Sequence, residues 1–135
     1  MKSTRSIRTI EQVVAFEATP KRIYEAFINS AKHAYFTGDA ASIDARPGGS
    51  FACYGTYITG FILELVPNKS IVQAWRSRNW PRGTYSIVTF TLKSKTPTTT
   101  ELTFVQSGVP AEDYAEKSRG WRSHYWEPLK VFLER

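Results

Sequence analysis

IEQVVAFEATPKRIYEAF, residues 10–27, joins two kinds of local structure at a single threonine–proline step. Ile10 to Phe16 is short and rich in β-branched and aromatic residues, which predicts a strand. Thr19 is a side-chain acceptor suited to an N-cap, and Pro20 fits the first helical position, where its missing N–H costs nothing. Ile23, Ala26 and Phe27 then recur at helical spacing on one face. This helix is expected to end near Asn29. Ser30 is expected to cap a second short helix through His33 and Phe36, with Gly38 as a left-handed stop.

Beyond Ala41 the pattern changes to strands divided by turn chemistry. Pro47-Gly48-Gly49 separates a short strand around Ile43 from one at Ser50 to Tyr54, and Gly55 marks the next reversal. Tyr57 to Val66 ends at Pro67-Asn68-Lys69, and Ser70 to Arg76 opens the following strand. Val88, Phe90 and Leu92 alternate with Ile87, Thr89 and Thr91, and Leu102 and Phe104 flank Thr103, so each of these strands has one core face. Thr96 to Thr100 reads as a hairpin tip. The chain closes on a helical stripe of Trp121, Tyr125, Leu129 and Phe132, with Ser118 as its expected N-cap. Pro128 inside that stripe removes one helical hydrogen bond and crowds the His124 carbonyl, which predicts a kink or a break. Strand, two helices, about six strands and one long helix form an α+β order, with helices against one face of a curved antiparallel sheet; parallel βαβ units are excluded.

At 135 residues, with 41% apolar and 14% aromatic content, the chain has material for one core and is too apolar for wholesale disorder. The formal charge of +6 is partly concentrated in Lys2, Arg5 and Arg8, so residues 1–8 are expected to be a basic, flexible tail and residues 9–135 a single domain. The one cysteine, Cys53, excludes an intramolecular disulfide and reads as a small buried side chain. No apolar run approaches the ~20 residues of a membrane span, and MKSTRSIR lacks the apolar segment of a signal peptide, so a cytoplasmic location is expected.

Four blocks then carry a family likeness: FTGDAASIDARPGGSF, YITGFILELVPNKSIVQAWR, NWPRGTYSIVTFTL and GWRSHYWEPLK. Together, over roughly residues 9–135, they resemble the C-terminal-domain type of the activators of heat-shock protein 90 ATPase, within the START-like helix-grip (SRPBCC) superfamily. The resemblance implies a sheet of about six or seven strands gripping the C-terminal helix, with an apolar cavity between them that in some superfamily members holds lipids, sterols or polyketides. It also implies a link to the stress response. In the eukaryotic members a separate N-terminal domain, not included in these blocks, supplies much of the chaperone binding.

Trp75, Trp80, Tyr85, Trp121, Tyr125 and Trp126 are a heavy aromatic load on elements expected to face each other. With the implied cavity, Trp75, Arg76, Trp80, Tyr85, Trp121 and Tyr125 become the candidate ligand-binding residues. Arg76 is placed to orient a carboxylate or enol oxygen at a pocket mouth. Arg76, Arg78 and Arg82 bracket Trp80 in WRSRNWPRG, which reads as a solvated loop or cavity rim and not as a nucleic-acid reader. His33 and His124 share no metal-ligand spacing, and neither a Ser/His/Asp arrangement nor a phosphate-cradling loop is present, so no metal, cofactor or catalytic residue is assigned. The first functional expectation is non-enzymatic binding of a small hydrophobic or aromatic molecule in the cavity. The alternatives are a module that acts on a heat-shock chaperone through its outer surface, and a cyclase-like or hydrolytic enzyme assisted by Arg76 or Glu64.

Overall fold

The structure is a computed structural model that describes residues 6–134. Strand β1 (Ile7–Phe16) leads into helix α1 (Pro20–Ile28). The Thr19 hydroxyl accepts the Arg22 N–H at 3.3 Å, with Pro20 as the first helical residue, as the sequence requires. Helix α2 (Ser30–Thr37) follows, and Gly38 stops it at φ 77°, a left-handed angle that glycine adopts without a Cβ clash. Its cap differs from expectation. Asn29, not Ser30, accepts the Lys32 N–H at 2.9 Å, and the Ser30 hydroxyl instead accepts the Ile43 N–H at 2.8 Å, tying α2 to the sheet.

Six further strands complete the sheet: β2 (Ala41–Ile43), β3 (Ser50–Cys53), β4 (Ile58–Val66), β5 (Ser70–Ser77), β6 (Ser86–Thr96) and β7 (Thr99–Pro110). Their order is β1-β7-β6-β5-β4-β3-β2, antiparallel throughout. Strands β6 and β7 run on to a tight tip where Thr96 pairs with Thr99; the polar Lys93–Thr96 stretch hides this extension from an apolar pattern. Ile7 and Arg8, expected in the flexible tail, are already paired with Pro110 and Val109, and the Arg8 guanidinium lies 3.9 Å from the Tyr114 ring centroid. Residues 1–5 of that tail lie outside the described residues.

The C-terminal helical segment starts earlier than Ser118. A 3₁₀ turn (Ala111–Asp113) leads into α3 (Tyr114–Trp121), then a π-helical turn (Arg122–Trp126), then α4 (Glu127–Leu133). Ser118 is interior to α3, and its hydroxyl and carbonyl both accept from Gln12 Nε2. The π turn is how the chain accommodates Pro128. Glu127 N–H bonds five residues back to the Arg122 carbonyl, and Pro128 falls within the first turn of α4. Since Pro128 cannot donate to the His124 carbonyl, that oxygen accepts the Tyr54 hydroxyl at 2.5 Å.

Trp121, Tyr125, Trp126 and Leu129 from this segment are buried on the same sheet face as Ile10, Phe16, Val88, Phe90, Leu102 and Phe104. Trp121 is the hub, with its ring centroid 4.3 Å from Phe104, 5.6 Å from Trp75 and 4.7 Å from Tyr125. Such rings dominate the core energetically, because each buries a large apolar area and prefers the tilted contacts seen here. Gly60 in β4 allows close approach: a Cβ there would sit 1.9 Å from the Ala74 carbonyl oxygen and 2.8 Å from the Phe51 ring.

Candidate functional site

The buried aromatic cluster satisfies its own polar tips. Trp121 Nε1 donates to Gln106 Oε1 at 2.8 Å, Gln106 Nε2 donates to Ser86 Oγ at 2.9 Å, and Ser86 Oγ donates to the Trp75 carbonyl at 3.0 Å. Trp126 Nε1 donates to Gln12 Oε1 at 2.6 Å, and Trp80 Nε1 to Asp113 Oδ2 at 2.7 Å. The void left under the helix, bordered by Phe27, His33, Cys53, Trp75 and Tyr125, measures about 10 Å³. That is at most the space of one water. At this point between sheet and helix, side chains occupy the space in which an enclosed apolar cavity was expected.

An open groove of about 440 Å³ lies instead at one end of the grip. Strand β5 supplies Trp75 and β4 supplies Ile58; the turn between β3 and β4 supplies Tyr54 and Tyr57. Helix α3 contributes Glu116, Lys117, Gly120 and Trp121, the π turn His124 and Tyr125, and the segment after α2 Asp39. Of the six candidate residues, Trp75, Trp121 and Tyr125 line this groove. Trp80 is buried behind it, 5.5 Å from Trp75 between ring centroids.

Arg76 and Tyr85 are on the opposite face of the sheet. Successive strand residues alternate faces, so a buried Trp75 turns Arg76 outward. One Arg76 Nη donates to the Trp80 and Pro81 carbonyls at 2.7 and 3.2 Å, which pins the β5–β6 loop, and the guanidinium lies 5.9 Å from the Tyr85 ring. Arg76 is a loop clamp, and the expected carboxylate contact at a pocket mouth is not available to it. Glu64 is exposed at a bulge in β4, where it pairs with Val72, so it also lies away from the groove.

Sequence reasoning missed the groove's charged wall. Lys117 Nζ lies 2.9 Å from Asp113 Oδ2, and its ammonium is 5.6 Å from the Tyr57 ring centroid. Burial pushes the Asp113 carboxyl up, but hydrogen bonds from Lys117 and Trp80 and the Lys117 charge outweigh it and hold the group below its usual value. The i, i+4 spacing of Asp113 and Lys117 was the available signal, and it becomes readable once α3 is known to start at Tyr114. Tyr54 is pushed up to about 12 by burial, reinforced by Cys53 and Asp39. Burial also pushes the Cys53 thiol up to about 12, so it stays a neutral thiol at pH 7, and pushes His33 down to about 4. His33 Nε2 lies 3.1 Å from the Tyr125 hydroxyl. Among the described residues no group of His, Cys, Asp and Glu is arranged to hold a metal, and no helix is long and apolar enough to cross a membrane.

The comparisons with known proteins fit this architecture. The family model described as "Activator of Hsp90 ATPase homolog 1-like protein" matches residues 17–134. The chain is 31% identical over 123 residues to the activator of 90 kDa heat shock protein ATPase homolog of Dictyostelium discoideum, covering 91% of this chain and 32% of that protein. It is 32% identical over 115 residues to the human activator of 90 kDa heat shock protein ATPase homolog 1, covering 85% and 34%. The chain thus spans about a third of the length of these relatives. Among solved structures, an HSP90 activator from Plasmodium falciparum superposes with a TM-score of 0.89 at 23% identity, covering 93% of this chain and 96% of that one. At that identity the likeness concerns the fold.

Proposed function

Because the chain belongs to the family of Activator of Hsp90 ATPase homolog 1-like proteins, we propose that it is a chaperone-interaction module that binds a 90 kDa heat-shock ATPase and raises its turnover. The observation that carries this reading is the identity to named activators over 85–91% of the chain. The outer sheet face supports it: Phe61, Leu63, Tyr85 and Ile87 are 44, 47, 41 and 40% exposed on β4, β6 and the approach to β6. A group of large apolar side chains left in water on a rigid sheet is the kind of surface that partners cover.

The test is the ATPase rate of a purified 90 kDa chaperone with and without the full chain. Stimulation is expected, and Leu63→Lys with Ile87→Lys should reduce it several-fold while the protein still melts cooperatively, because both side chains are about half exposed on the outer sheet face. Absence of both stimulation and binding by the unmodified protein would overturn the proposal.

A second reading, a small hydrophobic or aromatic molecule in the open groove, is favoured by the groove's aromatic lining and by its volume of about 440 Å³, within the range of small-molecule sites. Tryptophan emission reports it directly, since Trp75 and Trp121 are in the lining.

A further inference from the structure

We propose that the open groove selects organic cations, an ammonium or guanidinium carried on an apolar stem, over acids of the same size. This rests on the reading of the groove as a ligand site, and it reverses the charge preference that Arg76 suggested from the sequence. The lining contains the rings of Tyr54, Tyr57, Trp75, Trp121 and Tyr125 together with the His124 imidazole. Ring faces carry negative quadrupole density and attract a cation that has shed part of its water. Tyr57, 36% exposed, offers the most open of the tyrosine and tryptophan rings, and Trp75, Trp121 and Tyr125 form the buried floor. The wall already holds one such arrangement, the Lys117 ammonium 5.6 Å from the Tyr57 ring.

The charges in the lining point the same way. Lys117 is its one lysine or arginine, and Asp113 neutralises it from 2.9 Å behind the wall. Asp39 and Glu116 are both exposed, and neither enters an ion pair among the described residues. The Asp39 side chain accepts the adjacent Ala40 N–H at 2.8 Å. Among the described residues the lining therefore holds two carboxylates outside any ion pair, on a chain whose formal charge is +6, while the Arg78 guanidinium is held by the Thr56 hydroxyl in the turn beside Tyr57. Screening at physiological ionic strength limits the distant positive charges to about 8 Å, so the local carboxylates and rings set the preference of a body seated in the groove. An anion there would face both carboxylates, and the guanidinium of Arg76, held on the far face of the sheet, cannot reach it.

The test compares three probes of similar size against the full chain: benzyltrimethylammonium, benzyl alcohol and phenylacetate. Binding is followed by tryptophan emission and by chemical-shift mapping onto Trp121, Tyr125 and Gly120. The expected order is cation, then alcohol, then acid, with roughly tenfold between cation and alcohol. Asp39→Asn with Glu116→Gln should cut the cation's advantage about fivefold and leave benzyl alcohol unchanged; both positions are exposed, so an unaltered melting transition serves as the folding control. Equal or tighter binding of phenylacetate, or a cation affinity indifferent to the two substitutions, overturns the cation preference while leaving the groove a ligand site. If no probe binds at the groove, the ligand reading falls together with it. The chaperone ATPase measurement is independent of either outcome.

Discussion

Replacing Asp113 by asparagine isolates the charge that α3 buries in the groove wall. The Lys117 and Asp113 side chains are 9 and 8% exposed, with Nζ and Oδ2 2.9 Å apart. Asparagine keeps the shape and an acceptor for Trp80 Nε1 but removes the charge, so Lys117 becomes a desolvated cation compensated only by the Tyr57 face at 5.6 Å. Removing one partner of a buried pair costs about 3–5 kcal/mol. Because this pair borders an open groove and is not in a closed interior, we expect a loss just under that range, about 2–3 kcal/mol. Lys117→Met should cost less, about 1–2 kcal/mol, since Asp113 keeps the Trp80 and Asn79 donors. The double variant should lose less than the two singles together by at least about 1 kcal/mol. Urea unfolding of the four proteins, followed by tryptophan emission, measures all of these terms. The Asp113→Asn loss also corresponds to roughly 6–15 °C in Tm for a domain of this size. A pH arm fixes the sign. Asp113 is held below its unfolded value, so its contribution is present in full above an unfolded pKa of about 3.9 and is lost as pH falls through the folded value. The parent's advantage over Asp113→Asn should therefore shrink below about pH 4. A loss under about 1 kcal/mol at pH 7, or strictly additive single variants, would refute the reasoning.

Three further outcomes are expected. His33, pushed down to about 4 by burial, stays neutral in the fold while the unfolded imidazole protonates near 6.5. Stability is then complete above about pH 6.5 and falls by up to about 3 kcal/mol toward pH 4, and urea titrations should show a flatter profile for His33→Asn; identical profiles would count against it. Tyr54→Phe removes the donor to the His124 carbonyl and should cost about 1 kcal/mol. The cost should shrink in a Pro128→Ala background, where residue 128 regains an N–H for that carbonyl, so an equal cost in both backgrounds would disprove the link to proline. Truncation after Gly120 removes the buried Trp121, Tyr125, Trp126 and Leu129 and should abolish cooperative melting, a result checked by calorimetry.

Local rules made most of the fold legible. The Thr19–Pro20 step, Gly38 and the Pro47-Gly48-Gly49 and Pro67-Asn68-Lys69 turns act within a few residues of themselves, and the structure places element boundaries at each. The alternation in β6 and β7 likewise named the residues that meet Trp121. The start of α3 was not legible. Between Tyr114, which is only partly buried, and Trp121 the one fully buried side chain is Lys117, so the helical period carries little hydrophobic signal, and the reason a lysine can face inward is Asp113 one turn earlier.

The candidate site divides along the same line. Large aromatic rings from β5 and the C-terminal helix were legible as meeting partners, because periods of 2 and 3.6 assign each side chain to a face of its own element. How closely those rings pack and where a groove is left depend on shapes brought together across more than a hundred residues, as Gln12 and Trp126 are, and no local pattern encodes that fit. Tertiary packing also separated Trp75 from Arg76. Neighbours in the chain, they point to opposite faces of one strand, and the face that the C-terminal helix covers took the ring and left the guanidinium outside.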